Sequence, residues 1–156
     1  MRRLKLTAFS FLITTVVLFS CKQEDYLINH MYENNNIVLS GAQEVPANPS
    51  TATGSVQASY NQATKTLTYK VIWSGLSGNA TMGHIHGTGG PGVIAGAIQT
   101  FTGLSLTAAG SFGGTVFMDG LKFKEEELLA GLYYVNIHTT LYGGGEIRGQ
   151  IVLNKK

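Results

Sequence analysis

The sequence is short of charge, has one cysteine, and lacks any apolar run long enough to span a bilayer. Only 13% of its 156 residues are Asp, Glu, Lys or Arg, about half the usual share. The eleven basic and nine acidic residues nearly cancel, which leaves no basic stripe of the kind that binds nucleic acid. Cys21 is the single cysteine, so a scaffold stapled by intramolecular disulfides is excluded. The twenty glycines have no three-residue period, which excludes collagen. A hydrophobic share of 44% with low net charge is enough apolar surface to offset chain entropy, so disorder is not expected. The length suits one domain.

The start of the chain carries an address. Arg2, Arg3 and Lys5 precede an uncharged, mostly apolar run from Leu6 to Ser20. A positive start followed by a short apolar run reads as a secretory signal, because about twenty residues are needed to cross a bilayer. Leu18-Phe19-Ser20-Cys21 resembles a bacterial lipoprotein cleavage box, in which the cysteine becomes lipidated; several acyl chains would give stable anchoring. Removing residues 1–20 leaves eight basic against nine acidic residues, so the apparent basicity belongs to the leader. Residues 21–36 then form the lipidated Cys21 and a polar, Asn-rich tether. The expected address is the bacterial cell envelope, at the outer membrane, with the membrane as partner through Cys21, an envelope protein as a further candidate partner, and no nucleic acid.

From Ile37 the apolar residues follow a period of two. In Lys65–Ser74, Leu67, Tyr69, Val71 and Trp73 fall on one face. Ile37–Ala42, Gly54–Tyr60, Thr81–His86, Val93–Thr100, Ser111–Met118, Leu132–His138 and Glu146–Leu153 read as further strands, separated by Gly-, Asn- and Ser-rich turns. The expectation is an all-β domain over residues 37–153: an antiparallel, Gly-rich β-sandwich or Greek-key barrel of about eight strands, with a tail at 154–156. One short helix is expected at Lys124–Leu129, stopped by Gly131, its glutamates forming a solvated first turn.

Three strands sort isoleucines to one face and polar groups to the other. Met82, His84 and His86 lie opposite Ile85; Tyr134, Asn136 and His138 lie opposite Val135 and Ile137; Glu146, Arg148 and Gln150 lie opposite Ile147 and Ile151. Pairing the last two strands through the Thr139–Gly145 loop sets His138 opposite Glu146, Asn136 opposite Arg148 and Tyr134 opposite Gln150. Two uses suit this face. One is a metal site with His84, His86 and His138 as ligands and Glu146 as ligand or orienting group, for copper or zinc; Met82 on the same face would favour copper. The other is a cross-strand hydrogen-bond network in which Glu146 balances Arg148 and the histidines hold the loops. A nucleophilic enzyme is not indicated, since no Ser sits in a G-x-S-x-G elbow. Gly87–Gly92 lacks the Lys-Ser/Thr of a phosphate loop.

Leu39-Ser40-Gly41-Ala42-Gln43-Glu44-Val45-Pro46, Gly83-His84-Ile85-His86-Gly87, Tyr134-Val135-Asn136-Ile137-His138-Thr139 and Gly145-Glu146-Ile147-Arg148-Gly149-Gln150 resemble, in order, the motifs of the CHRD domain, the module named after chordin. The resemblance covers about 37–153. It implies an all-β domain found in extracellular proteins, bacterial lipoproteins among them, with no established enzymatic activity. The expected function is therefore a non-catalytic binding or structural module anchored at the envelope. The alternative is a copper- or zinc-binding protein with redox activity within reach. The His-X-His strand also looks locally like the copper strand of copper–zinc superoxide dismutase, but the internal cysteine pair and a His-rich zinc loop are missing.

Overall fold

A computed structural model describes residues 30–156. The leader, Cys21 and the tether as far as residue 29 lie outside the described residues. The order is β1 (Met31–Ser40), a 3-10 turn (Gly41–Gln43), β2 (Thr53–Asn61), β3 (Thr66–Ser74), β4 (Ala80–His86), β5 (Ala97–Thr100), β6 (Gly110–Phe117), α1 (Glu125–Leu129), β7 (Tyr134–Thr139), β8 (Ile147–Gln150) and β9 (Asn154–Lys155).

All pairs are antiparallel, and the strands run β5-β4-β7-β8-β1-β2-β3-β6 across one curled sheet, a half-barrel, with β9 added beside β1. The architecture is thus all-β, as the periodicity indicates, but one sheet wraps round the core where a sandwich would stack two. The two edges approach through aromatic rings. Phe101, just after β5, stacks on Phe112 of β6 at 4.6 Å and leans on Tyr69 of β3 at 5.6 Å. The segment between β5 and β6 closes the gap, Thr107 O accepting from Trp73 Nε1 at 3.1 Å.

β3 shows how sequence becomes core: Leu67, Tyr69, Val71 and Trp73 are buried while the residues between them are not. Fully burying such side chains contributes roughly 1.5–3 kcal/mol each. α1 packs through Leu128 and ends at Gly131, whose φ of 68° is left-handed. Its glutamates do more than face water. Glu125 bonds Tyr60 at 2.8 Å and also Gln62, and Glu127 bonds Thr88 at 2.6 Å, Tyr133 at 3.0 Å and Lys124 at 3.0 Å.

Three differences from the sequence expectation bear on how the sheet is built. β1 begins at Met31, earlier than Ile37, because residues 31–34 pair with 58–61 of β2 although they carry no period-two apolar pattern. Residues 154–155, expected as tail, pair with Tyr32 and Glu33. Residues 93–96 are loop, and Val93 and Ile94 are exposed, so only Ala97–Thr100 pairs with β4. Among the described residues, no helix is long and apolar enough to cross a membrane.

β7 is the element that positions the site. All six of its residues are buried. Val135 and Ile137 face the core, so Tyr134, Asn136 and His138 must be covered on the other side. The cover is made of loops: 87–96, 140–145 and 41–50. At the β8–β1 seam the sheet also needs glycine, since a Cβ on Gly149 would stand 2.6 Å from Val38 O and 3.0 Å from Leu39 Cδ1. Gly149→Ala is expected to cost about 2–3 kcal/mol, as an overpacked core position does; urea denaturation checks it.

Candidate metal centre

β4 lies beside β7, pairing Met82 with His138, His84 with Asn136 and His86 with Tyr134, and β7 pairs Asn136 with Arg148 and Tyr134 with Gln150 of β8. The hairpin register is the one the isoleucine pattern requires. The β4–β7 pairing, which the sequence left open, brings His84 and His86 to His138.

Three imidazoles converge. One nitrogen from each of His84, His86 and His138 lies within 4.8 Å of the others. His84 Nδ1 is 2.9 Å from His138 Nε2, and Asn136 Oδ1 is 3.0 Å from both His138 Nε2 and His86 Nε2. The far nitrogens of two rings are pinned. His86 Nδ1 meets Ala95 O at 2.9 Å and His138 Nδ1 meets Gly143 O at 3.0 Å. A carbonyl oxygen only accepts, so each Nδ1 carries the proton and each neutral ring turns an Nε2 lone pair inward. Fixing the outer nitrogen on a backbone carbonyl is how proteins orient metal-binding imidazoles.

The inward-facing atoms are short of protons. Two Nε2 lone pairs and an amide oxygen meet, and His84 Nδ1 is the one ring nitrogen that can donate among them. Protonating the rings is disfavoured. Burial, then the facing His138 and His86, push His84 down to about 4. Burial also lowers His138, against the favourable pull of Gly143 O. A cation between the rings answers the deficit. Metal–nitrogen bonds of about 2.0–2.1 Å in tetrahedral geometry need nitrogens roughly 3.3 Å apart, which small rotations of these side chains reach. The set is nitrogen and amide oxygen, which suits zinc or copper(II).

The rest of the polar face is a stack. The Tyr134 ring lies parallel to His86, with centroids 4.7 Å apart and planes 2° apart, and the Arg148 guanidinium sits 3.4 Å from the Tyr134 centroid. Tyr134 Oη donates to Ala95 O at 3.2 Å, the same carbonyl that holds His86. Met82 is 45% exposed at the rim, and the nitrogen and oxygen donors are complete without its sulfur.

Glu146 does not join the histidines. The ladder stops at Ile137↔Ile147, and the carboxylate turns to the loops. Oε1 accepts from Ser50 Oγ at 2.7 Å and Ser77 N at 2.8 Å; Oε2 accepts from Thr139 Oγ1 at 2.6 Å and Ser77 Oγ at 2.7 Å. Both oxygens are therefore spent, and Glu146 neither ligates nor orients a histidine. Nor does it balance Arg148, since no ion pair joins them among the described residues. The carboxyl that acts on Arg148 electrostatically is Glu44. It sits beside Asn136 Nδ2 and is 8% exposed. Gly145 makes room for it with a φ of 131°, where a Cβ would stand 2.2 Å from Glu44 Oε1. The sequence reading missed Glu44 as a site residue. Its one signal is an acid set between Ala42 and Val45 on a tight turn.

The family profile of the CHRD domain matches residues 36–151. The chain belongs to the CHRD domain family. No curated protein and no solved structure matches it. Within the CHRD domain, the stretches that carry the sequence resemblance are distant in the chain but meet around Asn136: Glu44 from the first, His84 and His86 from the second, His138 from β7, and Arg148 from the last. The CHRD motifs thus mark one buried polar layer lying outside the apolar core.

Proposed function

We propose that this CHRD domain is a non-catalytic metal-binding module, holding one zinc or copper(II) ion through His84, His86 and His138, on a lipoprotein anchored at the bacterial cell envelope through Cys21. The observation that carries the metal reading is the convergence of the three rings with two Nδ1–H groups committed to backbone carbonyls. The anchoring rests on the charged leader, its short apolar run and the Leu-Phe-Ser-Cys box. The alternative for the polar face is a metal-free network in which the Asn136 amide is turned, its NH₂ donating to both Nε2 atoms.

Titration of the metal-stripped protein with zinc and copper(II) separates the two. The metal reading expects one equivalent bound, lost at least a hundredfold in His84→Ala/His86→Ala. No saturable binding, with that variant merely less stable, would assign the histidines to the network.

A further inference from the structure

A second site lies on the other side of Asn136 and Tyr134 from the histidines. It is a cavity of about 250 Å³ between the turn after β1 and the loop after β4. Two charged side chains line it, Arg148 at 2% exposure and Glu44 at 8%. Opposite charges buried this deeply normally touch, because each loses its hydration and only close contact offsets that cost. These two do not. The ion pairs among the described residues are Lys124–Glu127 and Lys156–Glu33.

Each group also has bonding capacity to spare. Among the described residues Arg148 donates through Nη2, to Gly90 O at 3.1 Å and Gln150 Oε1 at 3.3 Å, and its Nε–H and Nη1 protons meet no protein acceptor. The guanidinium cannot drift to find one, because Tyr134 holds its face at 3.4 Å. Glu44 Oε1, buried against Gly145, has no hydrogen-bond partner. Burial raises the Glu44 carboxyl to about 7 in spite of Arg148, Asn136 and the Val45 amide, the state of an acid lacking a close cationic partner. Ala42, Val45, Pro91 and Gly92 supply small, mostly apolar walls, and the amide side chains of Gln43 and Gln150 complete the lining.

We propose that this cavity binds a free α-amino acid with a small apolar side chain, its carboxylate on Arg148, its ammonium on Glu44 and its side chain toward Ala42, Val45 and Pro91. Arg148 can meet a carboxylate oxygen with a charge-assisted hydrogen bond from its Nε–H or its Nη1 protons. An ammonium supplies the donors and the positive charge that Glu44 lacks. With Glu44 ionised, cavity and zwitterion are each neutral overall, so no net charge is buried. The volume admits one such molecule and excludes a peptide chain, whose linked amide would remove one of the two charges. The proposal stands apart from the metal reading, since no histidine takes part.

The test is NMR titration of the full-length chain in detergent micelles with L-alanine, with propionate and isopropylamine as half-ligands. Saturable shifts of the Arg148 side chain and the Gly92 amide are expected with alanine. Each half-ligand should bind at least tenfold more weakly. Glu44→Gln should weaken alanine at least tenfold while leaving propionate no weaker, a pattern that general loss of structure would not give. Ala42→Phe, at an exposed turn position that overhangs the cavity, should abolish binding without shifting the thermal midpoint. Absence of saturable shifts with alanine would show that the cavity holds water only. Equal binding of alanine and propionate, or no effect of Glu44→Gln, would equally overturn the assignment.

Discussion

Glu146→Gln is expected to be the most destabilising single conservative change in the domain, costing on the order of 3 kcal/mol at neutral pH. The carboxylate is fully buried and accepts four hydrogen bonds from Ser50, Ser77 and Thr139. Through them it joins the turn after β1, the β3–β4 connection and β7. The amide NH₂ of glutamine would face donors in place of accepting from them, leaving about two of these groups unmet. Glu146→Leu should do no better, because the Ser77 amide and the hydroxyls would be buried without acceptors. At this domain size the loss corresponds to a fall in Tm of about 8–15 °C.

The same carboxylate sets an acid limit. Burial alone would raise its pKa, but the bonds from Thr139, Ser50 and Ser77 outweigh burial and hold it below its ordinary 4.5. A lowered carboxyl pKa means that the folded state binds the proton less readily than the unfolded chain. Its stabilisation is therefore complete above about pH 4.5 and is lost as pH falls below that, through the folded-state pKa. Urea midpoints measured between pH 7 and pH 3 should drop steeply below pH 4.5 in the parent. In Glu146→Gln that added drop should be missing, the variant being already destabilised at neutral pH. A parallel decline in both proteins would place the acid sensitivity elsewhere.

The second large effect is expected on adding metal. An ion that binds only the folded state stabilises it by about 4 kcal/mol at a free concentration a thousand times Kd. Zinc should therefore raise Tm by about 10–20 °C, and a chelator should reverse the rise. His138→Ala should abolish the shift, since it removes the ring pinned by Gly143 O between His84 and Asn136. Asn136→Asp should keep or strengthen it, because the oxygen stays and gains charge. Met82→Leu should leave it unchanged, for the side chain is at the exposed rim. An equal zinc response in His138→Ala would show binding elsewhere on the chain.

How much of this was legible in the sequence depends on the range of the contact. Period-two alternation identified the strands because each buries one face, and β3 follows it residue by residue. It also set the β7–β8 register, since a one-residue slip would have buried Arg148 among isoleucines. The pattern failed where apolar residues are not buried. Val93 and Ile94 are an adjacent β-branched pair of the kind strands favour, yet lie exposed on the loop whose backbone holds His86, Arg148 and Gln150. The sheet's closure was not legible either. β4–β7 and β3–β6 are pairings across long stretches of chain, and no local signal specifies them. Of the candidate ligands, His84, His86 and His138 meet. Glu146 shares their face by parity, but the ladder ends at Ile147 and frees its side chain to turn away. Glu44 contributes through the loop cover, which periodicity does not address.

The central claim, that three imidazoles of this CHRD domain hold one metal ion, is tested most directly by X-ray absorption on the zinc-loaded protein at one equivalent. Counting scatterers around zinc should give three histidine nitrogens at about 2.0–2.1 Å and one oxygen, with one histidine lost in His86→Ala. A shell of oxygen atoms alone, unchanged in that variant, would contradict the claim and return the three rings to a purely structural network.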